Sequence, residues 1–117
     1  MATRVFVYGT LRRGQYNHPL LAGASYVGDL ITEPRFTMID MGGYPGVLDR
    51  GTTAIVGEVY DVDVVTLARL DLLEEVPTLY RRRWLQLTEQ ATAMMYLLPE
   101  RFSYGAPIMS SGDWCTR

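Results

Sequence analysis

The chain has 117 residues, 48% of them hydrophobic and 21% charged, with 11 Lys+Arg against 13 Asp+Glu for a formal charge of −2. Those values suit a single globular domain over 1–117, long enough to bury about two-thirds of the surface its unfolded form exposes, and they disfavour disorder and a basic nucleic-acid footprint. Eleven Gly, six Pro and eight Tyr point to turns, short strands and polar-rimmed clefts, and so argue against an all-helical bundle.

Residues 3–8 (TRVFVY) combine β-branched and aromatic types in a nearly continuous apolar run, which predicts a buried strand ended by Gly9. Asn17 ahead of His18-Pro19-Leu20 suits the cap and first turn of a short helix that stops by Gly23. Segments 24–32 and 35–40, separated by Glu33 and Pro34, are strand candidates, and a glycine-rich turn covers 42–46. A short strand at 47–49 and a longer one at 53–62 follow. Gly57, inside the latter, suggests a bulge or a close backbone approach in a curved sheet. Asp63 is a good N-cap for a helix over 64–75, where Leu67, Ala68, Leu70, Leu72 and Leu73 keep helical spacing until Pro77 stops it. Residues 80–89 and 92–99 read as a hairpin joined at Gln90-Ala91, and 102–117 as a loop-rich tail. About six strands and one long helix predict an α+β domain, with a strongly curved or closed mixed sheet and the helix packed on it.

Several chemistries lack their residues. The lone Cys115 permits no intrachain disulfide and suits a reducing cytoplasm, and the lone His18 leaves a Ser-His-Asp triad or a zinc site poorly supplied. The longest strictly apolar run, 93–98, is far short of the ~18–20 residues of a membrane helix, and 5–8 is too short for the core of a signal peptide. The expectation is a cytoplasmic protein without nucleic-acid or membrane partners.

Three constellations could carry chemistry. At Tyr8-Gly9-Thr10-Leu11 a buried strand opens into a glycine turn, which can bring successive backbone N–H groups together around a carboxylate or oxyanion; it can equally be only a turn. It lacks the glycine spacings of the nucleotide-phosphate loops. Glu74 lies four residues past Leu70 and seven past Leu67, on the stripe those leucines bury, and so is either an end-of-helix surface acid or a half-buried general base. Asp71 and Glu75 fall toward the flanks. Arg81 and Arg83 alternate with Tyr80, Arg82 and Trp84 along a strand, a pattern that suits ion pairs with nearby acids better than one basic patch. Glu58 reads as a strand residue facing solvent, or as a second acid of a pocket.

The blocks VFVYGTLRRG with Asn17, YPGV at 44–47, VGEVY at 56–60, LDLLE at 70–74, Tyr80-Arg81 and SGDW at 111–114 cover most of the chain in order. Together they resemble the gamma-glutamylcyclotransferase family, in particular its small single-domain bacterial branch. The resemblance implies a small mixed β-barrel flanked by helices, and release of 5-oxoproline from γ-glutamyl compounds without cofactor or metal. It implies that Tyr8, Gly9, Thr10 and Leu11 form the substrate-binding loop, that Glu74 is the acid/base, and that Tyr80 lines the cavity. One departure stands out: many members follow the glutamate with Gly, whereas Glu75, Val76 and Pro77 follow here. The alternative is a non-catalytic small-molecule binding module with the same cavity.

Overall fold

The computed structural model describes residues 2–116. Strand β1 (Thr3–Val7) lies in the middle of a five-stranded sheet, antiparallel to β5 (Val56–Val62) and parallel to β7 (Thr92–Leu97). Both of its faces are covered, which is why Val5, Phe6 and Val7 are all buried and the strand shows no polar alternation. β2 (Ser25–Ile31) pairs outside β5, and β6 (Arg81–Gln86) pairs outside β7, both antiparallel. β3 (Phe36–Asp40) and β4 (Pro45–Thr53) form a separate two-stranded ribbon.

The core has two parts. From one face of the sheet Phe6, Val59 and Met95 pack against Phe36, Met38 and Val47 of the ribbon and against Trp114 of the tail. From the other, Val5, Val7, Tyr60 and Tyr96 pack against Leu70 of helix α1 (Val64–Leu73) and Leu21 of the 3-10 turn His18–Leu21. α1 begins where Asp63 predicts, its carboxylate accepting the Thr66 N–H at 2.7 Å.

The expected closed barrel does not form. β3 and β4 pair with each other instead of bridging β2 and β6, so those two strands remain open edges of the sheet. A backbone bond from Glu33 N–H to the Leu87 carbonyl, 2.8 Å, links the segments that follow them without making a ladder. The mixed α+β class holds. Seven strands form, one at each candidate segment, against a count of about six; the bounds differ in that the predicted turn gives up Pro45 and Gly46 to β4, which runs to Thr53, while the next strand starts at Val56 and not at 53. The sheet's bulge falls at Tyr26/Gly28 rather than at Gly57, which instead lies close against the Val7 backbone and the Phe6 ring.

The helix ends at Leu73, two residues earlier than predicted, and Glu74 caps it. Glu75 then turns left-handed at φ 54°, its N–H bonding the Leu72 carbonyl at 3.2 Å, and the Val76 N–H bonds the Asp71 carbonyl at 3.0 Å. This two-bond closure normally places glycine at the left-handed position. Among the described residues, no helix is long and apolar enough to cross a membrane.

Candidate active site

Beyond Val7 the backbone leaves the sheet and turns over its end. The Arg12 N–H closes a turn on the Gly9 carbonyl at 3.1 Å, and Asn17 holds Thr10 twice, N–H to carbonyl at 2.9 Å and Nδ2 to Oγ1 at 3.0 Å. His18 Nδ1 lies 2.9 Å from the Leu11 carbonyl, a structural contact for which Nδ1 carries the proton. With these carbonyls engaged, the N–H groups of Gly9, Thr10 and Leu11 have no protein acceptor among the described residues.

Tyr8, Gly9, Thr10, Leu11, Glu74 and Tyr80 line one inner cavity of about 30 Å³, together with Pro45 and Tyr96. An outer pocket of about 120 Å³ shares Thr10, Glu74 and Tyr80 with it and adds Asn17, Tyr44, Glu75 and Leu79. The helix end fixes Glu74 here: its N–H bonds the Leu70 carbonyl at 2.9 Å, and its own carbonyl accepts the Tyr80 N–H at 3.3 Å. No donor among the described residues bonds the Glu74 carboxylate. Burial pushes its pKa up to about 7, and the neighbouring charge of Glu75 adds to the shift. A carboxylate balanced between its two forms near neutrality can take and return a proton.

Three tyrosines build the walls. Tyr8 donates to the Tyr96 carbonyl at 2.7 Å, Tyr80 to the Pro45 carbonyl at 2.6 Å, and Tyr96 to Asp71 Oδ1 at 2.8 Å. Burial holds all three phenols above the ordinary tyrosine range, so they stay neutral donors. Tyr44 and Pro45 fall in the YPGV block but, like Tyr96, are not among the cavity residues expected from the sequence. Alternation along a strand gives the face of a side chain and not the cavity that other segments build against it.

One sequence expectation is corrected and another holds in part. Glu58 neither faces solvent nor lines the cavity; it is 3% exposed and bound to Arg12, to the Arg13 N–H and to Tyr60. Among Arg81, Arg82 and Arg83, Arg82 alone pairs with a described carboxylate, Asp71 at 3.3 Å, while Arg81 and Arg83 flank a separate groove beside Arg50 and Glu100. Among the described residues no His, Cys, Asp and Glu group is placed to hold a metal ion.

In this small α+β domain one cavity thus brings a half-buried carboxylate beside residues whose backbone amides are unbonded among the described residues. Residues 5–116 match the family model described as gamma-glutamyl cyclotransferase, AIG2-like. A Vibrio cholerae protein is 44% identical over 113 residues, covering 97% of this chain and 96% of that relative. The Escherichia coli gamma-glutamylcyclotransferase family protein YtfP is 37% identical over 114 residues, covering 97% of each. The solution structure of YtfP superposes with a TM-score of 0.75, at 36% identity and over 96% of each chain. The chain belongs to the gamma-glutamyl cyclotransferase, AIG2-like family.

Proposed function

We propose that the protein is a γ-glutamyl cyclotransferase acting on a small γ-glutamyl amine or γ-glutamyl amino acid. The observation that carries this reading is the shared cavity: Glu74, whose carboxylate is unpaired, lines the same space as Gly9, Thr10 and Leu11, whose amides are unbonded among the described residues. The α-nitrogen of a γ-glutamyl compound can reach its own γ-carbonyl and close a five-membered ring, so the protein has chiefly to hold the folded conformer and move a proton.

In the proposed reaction Glu74 takes a proton from the α-ammonium, and the freed amine attacks the γ-carbonyl carbon. The amides of 9–11 receive the α-carboxylate or the developing oxyanion. As the new carbon–nitrogen bond closes 5-oxoproline, the attacking nitrogen gives up its second proton; the old bond breaks, and the departing nitrogen takes up both protons, one of them returned by Glu74, and leaves as an ammonium. The neutral phenol of Tyr80, tied to Pro45, shapes the wall beside the reacting carbon.

The test is release of 5-oxoproline from a panel of γ-glutamyl amines and γ-glutamyl amino acids, with Glu74→Gln alongside. Loss of a general base costs on the order of 10²–10⁴-fold. Equal turnover by both proteins removes Glu74 from the mechanism, and calorimetric binding of the panel without turnover supports a binding module instead.

A further inference from the structure

Glu58 stands opposite Val7 in the β1–β5 register, directly beneath the point where the backbone leaves the sheet for the cavity. Its buried carboxylate reaches the loop from below. Oε1 accepts the Arg13 N–H at 3.0 Å and the Tyr60 hydroxyl at 2.8 Å, and Oε2 accepts Arg12 Nε at 3.2 Å. The other side of the Arg12 guanidinium donates from Nη1 to Asp113 Oδ1 at 2.8 Å. With side chains only 13%, 4% and 20% exposed, Arg12, Glu58 and Asp113 form a shielded charge group, in which hydrogen-bonded geometry is held tightly and a lost partner is felt.

Asp113 is itself seated. Trp114 next to it is 2% exposed in the core, and the Gly112 carbonyl accepts the Val56 N–H at 2.9 Å. Gly112 sits at φ 68° against the Ala54 carbonyl, where a side chain would collide, so the tail approaches the sheet in one way. None of Arg12, Glu58 and Asp113 borders the cavity.

We infer that Asp113 and Glu58, joined through Arg12, are positioning residues: they set the backbone of residues 9–13 and so aim the amides that receive the substrate. This rests on the cyclotransferase reading of the cavity. It makes the SGDW tail a working part of a site whose lining residues all lie earlier in the chain.

The experiment compares Asp113→Asn and Glu58→Gln with Arg50→Gln, which breaks the exposed Arg50–Glu100 pair, neither of whose residues lines the cavity. Read together are 5-oxoproline release, its pH profile, the thermal midpoint, and hydrogen exchange of the bonded loop amides of Arg12 and Arg13. Asp113→Asn should lower kcat/KM on the order of 10- to 100-fold, the scale of a displacement near 1 Å. It should also speed exchange of these loop amides beyond the general increase that a lower thermal midpoint brings to the sheet amides, while leaving the kinetic pKa of Glu74 in place. Asp113→Asn with both kcat/KM and loop exchange within about twofold of wild type overturns the inference. Should Glu58→Gln fail to fold, Asp113→Asn decides alone. A wild-type protein that releases no 5-oxoproline removes the cyclotransferase reading, and the loop exchange of Asp113→Asn then still decides whether the tail holds the loop.

Discussion

A Cβ on Gly9 would stand 2.7 Å from Cγ of Pro45 and 2.8 Å from its Cδ, so loop and ribbon meet where no side chain fits. The proline cannot simply withdraw, because its carbonyl is held by the Tyr80 hydroxyl. Gly9→Ala should therefore displace the loop amides, reducing kcat/KM by about 10²-fold and stability by about 1–3 kcal/mol. Steady-state assay and urea unfolding read the two effects, and wild-type activity in the variant would contradict the tight contact.

The pKa of Glu74, about 7 against 4.5 for an ordinary glutamate, fixes two pH dependences of opposite sense. As the base must be ionised, kcat/KM should rise with pH through about 7 and then level off. Stability runs the other way. The folded chain binds this proton more tightly than the unfolded chain, so the group's contribution is complete below about 4.5 and is lost as pH climbs through about 7. Glu74→Gln should thus be more stable than wild type at pH 8, with the gap closing toward pH 4.5, in urea titrations at both values.

Glu75 makes a separate prediction, because its backbone and its charge act on different observables. At φ 54° it occupies a position where a Cβ is unfavourable by about 1–2 kcal/mol, so Glu75→Gly should stabilise the fold by about 1 kcal/mol after its own entropy cost. Glu75→Gln keeps that strain and removes the charge, and should move the kinetic midpoint of Glu74 downward. A midpoint that stays fixed in both variants would leave burial as the whole cause of the Glu74 shift.

How much of this was legible in the sequence depended on the range of the interaction. Glu74 could be placed beside the core because its neighbours Leu67 and Leu70 lie on the same helix, where spacing dictates direction, and Leu70 is indeed fully buried. Asp63 could be assigned as a cap because its partner, Thr66, is three residues away. The burial of Glu58 was hidden because its counterion, Arg12, comes from a loop 46 residues distant, and a carboxylate in a strand reads as solvated until that partner is known. β4 was split for a similar reason. Its glycines look like turn punctuation, yet Gly46 is a strand residue whose missing side chain leaves room for Leu98, a contact no local rule contains. Whether the sheet closed depended on what lay beside β2 and β6, a choice made by the pairing of β3 with β4. The glycine missing after Glu74 was visible as a departure from the family pattern, and the left-handed φ of Glu75 supplies its physical meaning.

The central place of β1 also bears on how the molecule comes into being on the ribosome. β1 is translated ahead of its neighbour β5, and its other neighbour, β7, exists only once residues 92–97 have emerged, with Asp113 later still. Sheets joined by such distant segments form slowly and late. The loop that ends β1, though translated ahead of these partners, would then acquire its working shape only after them, and a nascent chain would hold an incomplete cavity until β7 and the segment around Asp113 had emerged.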